Sequence, residues 1–191
     1  NWVQYTLDLP MGNEPGNVFN YNSGATLILG HIFRLATGTD IEEYAVEYLF
    51  TPLGIDDYYW DRTPYGLTDT QEGLYISARS LAKIAQLFLQ KGRWEDEQVI
   101  PAAWVEESTA PLYPTGKSDD EAYGYLWWSQ PYTFKGKTVR AHFGKGFGGQ
   151  RPIFLPDLNM VIVLTGWNIL PGQPFLHAMK AVERVTAAVI E

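Results

Sequence analysis

The stretch of residues 140–167 constrains the fold most, because it predicts three strands in quick succession. Polar and apolar residues alternate up to Phe143, as in a strand with one buried face. A glycine cluster then precedes an extended run that ends at Leu155, and a Pro-Asp-Leu-Asn turn signal precedes the continuous apolar run of residues 160–165. We therefore expect the core of an antiparallel meander here, within an antiparallel sheet that covers residues 123–165.

His142 stands at the point where the first of these strands meets the glycine cluster. The strand pattern alone favours a surface histidine on the solvent-facing side of the strand. The alternative is the edge of an active site, since a polar side chain beside backbone freed by glycine suits binding and catalysis.

The composition of this 191-residue chain is that of a folded protein, with 46% hydrophobic residues and enough length to bury a core. The net charge of −8 argues against a nucleic-acid partner, because phosphate binding requires clustered lysine and arginine. The chain has no cysteine and only three histidines, at no metal-binding spacing, so we expect neither a metal nor any other cofactor. No run of about 18 apolar residues occurs, and we expect no membrane span.

A period of 3.6 residues predicts helices both before and after the sheet. We expect a loop over residues 1–17, where two prolines and two glycines interrupt the chain. The predicted helices cover residues 25–36, a segment from a capping box at Thr39 to just before Pro52, residues 78–90 and residues 101–108, with Gly38 and Gly92 as stop signals. A closing helix over residues 174–191 should pack one face on the sheet, formed by Phe175, Met179, Val182, Val185 and Val189. Helices, then strands, then a helix predict a single α+β layered domain.

The segment Ser80-Leu81-Ala82-Lys83 matches the pattern S-x-x-K. This spacing places a serine and a lysine on adjoining turns of one helix, where the lysine can lower the cost of deprotonating the hydroxyl. The pattern is short, however, and lies in the middle of a well-capped amphipathic helix. We therefore expect Ser80 and Lys83 to occupy an ordinary solvated helix face.

Five segments, in order along the chain, resemble the motifs of one known family. They are Phe19-Asn20-Tyr21-Asn22-Ser23-Gly24, Pro52-Leu53-Gly54, residues 73–83, Tyr123-Gly124-Tyr125-Leu126-Trp127-Trp128, and His142-Phe143-Gly144 followed by Gly146-Phe147-Gly148. Together they resemble the carboxy-terminal part of a serine beta-lactamase-like or penicillin-binding-protein-like hydrolase. That superfamily includes class C beta-lactamases, D,D-peptidases, esterases and amide-dimer hydrolases. The resemblance implies a beta-lactamase/transpeptidase-like α+β fold, with residues 1–191 forming the carboxy-terminal part of a single domain whose amino-terminal part is missing.

The resemblance also implies an activity and a set of site residues. The reaction would be acyl transfer from an amide or ester through an acyl-serine intermediate, with no cofactor. Tyr21 would act as a proton relay, His142 would line the pocket or polarise Tyr21, and the backbone N–H of Lys145 would donate to the oxyanion. Substrate contacts would come from Ser23, Phe143, Gly144 and Gly146. Ser23 stands where the family commonly has asparagine, and a hydroxyl can replace only part of the hydrogen bonding of a carboxamide.

The nucleophile is expected to lie upstream of this chain. The family has its own S-x-x-K before the tyrosine motif, whereas no serine precedes Tyr21 in this sequence. By the same resemblance, Ser80 and Lys83 belong to a structural helix, and this fragment alone should be inactive. Expected partners are a small-molecule or peptide substrate and the missing amino-terminal segment, with self-association of the fragment through exposed apolar surface. Many relatives are exported, so an exported or periplasmic location is favoured.

The alternative from a different class is a non-catalytic module that binds peptides or glycans in a remnant cleft on the same fold. An S-x-x-K pattern upstream in the natural reading frame would discriminate between the two hypotheses. Beta-lactam, cell-wall peptide, ester and amide substrates share this framework, because a fold does not determine its substrate.

Overall fold

The computed structural model describes residues 1–117, 120–167, 169–170 and 178–188. The chain divides into two compact units, Asn1–Ser77 and Ala78–Glu191. The first unit is mainly helical, and the second contains a large antiparallel sheet with helices packed on it. Within the described residues, no helix has the length and apolar character that crossing a membrane requires.

The first unit consists of helices and one small pair of strands. Its elements are α1 (Trp2–Asp8), α2 (Ser23–Thr37), α3 (Ile41–Ala45) with a π-helical continuation over Val46–Phe50, β1 (Tyr58–Trp60) and β2 (Leu74–Ile76). Strands β1 and β2 pair antiparallel. Gly38 ends α2 in the left-handed conformation, with φ of 75°, so its predicted role as a stop signal is confirmed.

The prediction of a loop over residues 1–17 is wrong for its first half, where α1 forms. The side-chain oxygen of Asn1 caps this helix and accepts a hydrogen bond from the Val3 amide at 3.0 Å. Val3 is buried, which anchors the short helix to its unit. The prolines and glycines lie beyond Asp8 and therefore interrupt the chain only after the helix has ended.

The start of α3 differs by one residue from the predicted capping box. Asp40, not Thr39, is the N-cap, and its carboxylate accepts a hydrogen bond from the Glu42 amide at 3.0 Å. The same carboxylate accepts from the hydroxyl of Thr68 and lies 3.3 Å from Arg62. A carboxylate serves this position better than a hydroxyl because it caps the helix and pairs with a cation together.

In the described part of the second unit there are a six-stranded sheet, a separate pair of short strands and three α-helices. Its elements are α4 (Ala78–Leu89), β3 (Arg93–Trp94), β4 (Glu97–Gln98), α5 (Ala102–Thr109), β5 (Tyr113–Pro114), β6 (Ala122–Tyr123), β7 (Trp128–Phe134), β8 (Lys137–Phe143), β9 (Arg151–Leu155), β10 (Met160–Leu164) and α6 (Ala178–Ala187). Strands β5 to β10 pair antiparallel in chain order, so the predicted meander is confirmed. The sheet begins earlier than expected, because β5 and β6 pair before β7.

Helices cover both faces of this sheet. The Phe88 ring of α4 lies 4.7 Å from the Trp127 ring and 6.1 Å from the Phe154 ring of β9. On the other face, the hydroxyl of Tyr132 in β7 lies 2.7 Å from that of Thr186 in α6. Residues directly opposed on neighbouring strands share a face, and Tyr132 is opposed to Val139 whereas Phe154 is opposed to His142. The second unit is therefore layered as helix, sheet and helix.

The closing helix packs on the sheet with a face that differs in part from the predicted one. Val182 is fully buried as expected, but Val185 is 40% exposed. The buried positions beside Val182 are Ala181 and Thr186, and the Thr186 hydroxyl also donates to the Val182 carbonyl at 2.7 Å. A threonine whose hydroxyl is hydrogen-bonded within its own helix can therefore occupy a buried position for which the apolar periodicity favoured valine. Phe175 and Val189 lie outside the described residues.

Replacing Gly92 with alanine should destabilise the second unit far more than the matched change at Gly136. Both glycines have positive φ, +81° and +76°, which costs an alanine roughly 1–2 kcal/mol. A Cβ at Gly92 would also lie 1.9 Å from the carbonyl oxygen of Ile100, whereas a Cβ at Gly136 meets nothing within 4 Å. We expect Gly92→Ala to lower the free energy of unfolding by more than about 3 kcal/mol. Urea titration followed by tryptophan fluorescence measures both variants, and equal losses would contradict the clash.

Candidate active site

The predicted site residues of the second unit lie together where β8 ends. His142 and Phe143 are the last residues of β8, and the chain then forms the glycine loop, residues 144–149. The Gly144 amide donates to the Pro152 carbonyl at 3.0 Å, and the Gly146 amide donates to the Gln150 carbonyl at 2.9 Å. The glycine loop is thus a tight connection held to the start of β9.

Two long polar side chains fix the glycine loop from its carboxy-terminal side. Arg151 is 9% exposed and donates from Nη1 to the Gly146 carbonyl at 2.9 Å, while burial lowers the pKa of its guanidinium. The Gln150 amide donates to the Gly166 carbonyl and, at 3.4 Å, to that of Phe147. Sequence reasoning missed both residues. The available signal was a glutamine and an arginine directly after a cluster of glycines whose backbone groups need partners.

His142 is packed largely inside the second unit, so the surface position that the strand pattern alone favoured is wrong. Its ring stacks on the Phe154 ring with centroids 4.9 Å apart and planes 13° apart, and α4 covers this face through Phe88. The Nδ1 atom is buried and makes no hydrogen bond within the described structure. Burial lowers the pKa of His142 to about 4, with the charge of Arg140 as a second cause. The imidazole is therefore neutral at physiological pH.

The side chain of Lys145 makes an ion pair that no local sequence pattern indicates. Its Nζ lies 2.5 Å from a carboxylate oxygen of Glu121 and 3.7 Å from the centroid of the Trp128 ring. Burial lowers the pKa of Lys145, and Glu121 opposes that shift. Since 24 residues separate the two charges in sequence, only the paired strands bring them together.

Tyr21 and Ser23 lie in the first unit, at the start of α2. Tyr21 is 48% exposed, and Ser23 is the first residue of the helix, directly after the N-cap Asn22. His142, Lys145 and the glycine loop belong to the second unit. The convergence of the two groups on one cleft therefore stays a prediction.

The Ser80–Lys83 pair does not occupy a solvated helix face, and that prediction is wrong. Ser80 is 4% exposed, and Lys83 is half-buried. Ser80 lies on the same side of α4 as Leu87, two turns further on, which is fully buried. The small serine therefore takes an interior position in the helix that packs against β9 and β10.

A cavity in the first unit lies apart from these residues. It is lined in part by His31, Arg34 and Asp40 and contains none of the predicted site residues. Across the parts of the chain that the structure describes, no three histidine or carboxylate side chains group in a way that could hold a metal ion. The groups that the structure places at the end of β8 are backbone amides, a neutral imidazole and a paired lysine.

Comparison with solved structures supports the fold. A structure named "Putative 6-aminohexanoate-dimer hydrolase from Bacillus anthracis" matches with a TM-score of 0.76 and 26% identity, over 93% of this chain and 45% of that one. A penicillin-binding protein from Bacillus halodurans matches with a TM-score of 0.69 and 17% identity, over 98% and 63%. The octameric penicillin-binding protein homologue from Pyrococcus abyssi matches with a TM-score of 0.58 and 21% identity, over 76% and 37%. This chain therefore spans less than two thirds of the length of each.

Family comparison agrees with the architecture. A search of curated proteins finds no match. The family model described as Beta-lactamase matches residues 1–179, nearly the whole chain. The structure has the mixed helices and antiparallel sheet of the beta-lactamase/transpeptidase-like fold, as its structural neighbours do. The chain belongs to the beta-lactamase family.

Proposed function

We propose that this chain is the carboxy-terminal part of a serine hydrolase whose nucleophile lies upstream of residue 1. The observation that carries the proposal is the family match over residues 1–179 combined with the H-x-G segment at the end of a central strand. In the proposed reaction, the upstream serine oxygen attacks an amide or ester carbonyl and the leaving group departs with a proton. Water then attacks the acyl-serine ester and releases the acid.

Lys145 would contribute through its backbone rather than its side chain. Its N–H lies in the glycine loop, which Arg151 and β9 hold in place. A preorganised amide directed at the developing oxyanion is worth on the order of 3 kcal/mol in the transition state. The Lys145 ammonium forms an ion pair with Glu121, so the proposed role falls to the backbone N–H.

Tyr21 would accept the serine proton and pass it to the leaving group. A phenol in water titrates near about pH 10, so this role requires a nearby positive charge, which the resemblance assigns to the upstream lysine. Tyr21 is 48% exposed within this chain, so the residue is not enclosed by the first unit.

We also propose that the chain self-associates, which the octameric state of the Pyrococcus relative supports.

His142 would act as a neutral hydrogen-bonding group. Its buried Nδ1 has no hydrogen-bond partner within the described structure, and a neutral imidazole offers one donor and one acceptor. Such a group can polarise the Tyr21 hydroxyl or contact the substrate without adding a positive charge. A cationic role would require protonation against the burial that keeps the ring neutral.

The isolated 191-residue chain should show no stoichiometric burst with an activated ester, whereas the chain extended upstream through its S-x-x-K should show one. Without a serine nucleophile, the proton relay and the oxyanion donor have no route to an acyl-enzyme. The measurement is release of p-nitrophenol from p-nitrophenyl acetate, with Ser80→Ala in both chains as control. A burst from the isolated chain that disappears in Ser80→Ala would place the nucleophile at Ser80. No burst from the extended chain would favour the non-catalytic binding module.

Tyr21→Phe in the extended chain should slow acylation by at least about 100-fold and leave substrate affinity close to that of the unchanged protein. The substitution removes the relay oxygen and little else, and proton transfer contributes typically 10²–10⁴-fold. Tyr5→Phe is the matched control, because Tyr5 is another exposed tyrosine of the first unit. Stopped-flow bursts measure the acylation rates of both variants. Equal effects of the two substitutions would show that Tyr21 does not belong to the site.

The His142 imidazole should stay neutral down to about pH 4. Because its folded-state pKa lies below the ordinary value of 6.5, protonation opposes folding. The stability that the neutral ring contributes is complete above pH 6.5 and is lost as the pH falls through 4. NMR titration of the ring Cε1–H signal measures this, with His142→Phe to assign the resonance. A midpoint near 6.5 would show that the ring is solvated and would remove the argument for a neutral role.

A further inference from the structure

Glu121 and Lys145 form a buried contact on the side of the sheet where Trp128 lies. The side chain of Glu121 is 6% exposed and that of Lys145 is 29% exposed, and their charged groups lie 2.5 Å apart. The other carboxylate oxygen of Glu121 accepts a hydrogen bond from the Thr115 hydroxyl at 2.9 Å. Both oxygens of a buried carboxylate are thus engaged, which is the condition under which such a group is tolerated in an interior.

The ammonium of Lys145 is held by aromatic rings as well as by charge. It lies 3.7 Å from the centroid of the Trp128 ring and 5.5 Å from that of Phe143. Trp128 and Phe143 are directly opposed where β7 begins and β8 ends, so two paired strands hold both rings. A lysine fixed by one carboxylate and by these rings loses most of the freedom of its flexible stem.

The residue that carries this side chain is also the residue whose backbone N–H is the proposed oxyanion donor. The next residue, Gly146, is fixed through its carbonyl by the guanidinium of Arg151 at 2.9 Å. Two consecutive residues of the glycine loop are therefore anchored from different directions. Lys145 is anchored through its side chain towards Glu121, and Gly146 is anchored through its backbone towards β9.

We propose that Glu121 is a positioning residue, which holds the Lys145 backbone in the orientation that oxyanion stabilisation requires. The inference rests on the proposed function and adds to it a residue that touches neither substrate nor nucleophile. Glycine-rich backbone is conformationally free, so an oxyanion donor within it needs an external anchor. Transition-state stabilisation of this kind depends on donors that are in place before the reaction starts.

The contact can be broken from either side. Glu121→Gln keeps the shape and the Thr115 contact but removes the charge, and Lys145→Met keeps the stem and the backbone N–H but removes the ammonium. Lys145→Arg restores a cation that can pair with the carboxylate. Lys135→Met is the matched control, because Lys135 also lies over a ring, that of Phe134, at the β7–β8 turn remote from the glycine loop.

The experiment measures acylation by p-nitrophenyl acetate in the full-length protein, by stopped flow over a range of ester concentrations. We expect Glu121→Gln and Lys145→Met each to lower the acylation rate constant about tenfold with little change in the apparent ester dissociation constant, since a misplaced donor weakens only the transition state. The double variant should lose no more than either single variant. Lys145→Arg should recover most of the rate, and Lys135→Met should match the unchanged protein.

Hydrogen exchange followed by mass spectrometry provides the second measurement on the same proteins. Peptides that contain the glycine loop should exchange faster in Glu121→Gln and Lys145→Met and at the original rate in Lys145→Arg. A slower reaction with unchanged exchange would overturn positioning, because the ammonium would then act through its charge alone. Unchanged acylation in both single variants, with a burst present in the unchanged protein, would overturn the inference and leave the proposed function standing. No burst in the unchanged protein would overturn both.

Discussion

The central position of β8 determines the arrangement of the second unit. Paired with β7 on one side and β9 on the other, this strand must send alternate side chains to opposite faces. Val139, Ala141 and Phe143 therefore lie buried on the face that carries α6, while His142 is directed to the face that α4 covers. Shifting the register by one residue would exchange these two sets and place both the imidazole and the apolar row on the wrong side.

Different kinds of interaction fix the two ends of the glycine loop. Before it, β8 is fixed by apolar packing and by ladder hydrogen bonds. After it, the side chains of Arg151 and Gln150 donate to the backbone carbonyl groups of Gly146 and Gly166. Between them, Lys145 is fixed by the carboxylate of Glu121 and the face of Trp128. A segment rich in glycine is thereby ordered by its neighbours rather than by its own conformational preferences.

The sequence predicted the elements that depend on local pattern. The meander, the positions of α2, α4 and α5, and the stop at Gly38 follow from alternation, helical period and glycine conformation, all of which act within a few residues. The residues that lie together at the end of β8 could also be located, because they are adjacent in the chain. Helix α1 was missed, since a single asparagine cap and one buried valine outweigh the breakers that follow it.

Features that depend on tertiary packing could not be predicted from the chain. The Glu121–Lys145 pair joins the residue directly before β6 to a residue of the glycine loop, and nothing in either local segment distinguishes this carboxylate from the other acidic residues of the chain. The burial of Ser80 and of Thr186 was missed for a similar reason. Hydrophobic periodicity assigns hydroxyl-bearing residues to the outside of a helix, yet Thr186 can face the interior because its hydroxyl donates to the Val182 carbonyl.

The agreement between strand order and chain order has a consequence for how the second unit is made. Each strand from β6 to β10 pairs with the one synthesised just before it, and the connections at residues 135–136 and 156–159 close small loops at low entropic cost. The sheet can therefore grow one hairpin at a time as the chain leaves the ribosome. Strand β8 would acquire both neighbours before α6 exists, so the backbone around the glycine loop would be assembled early and α6 would cover its sheet last.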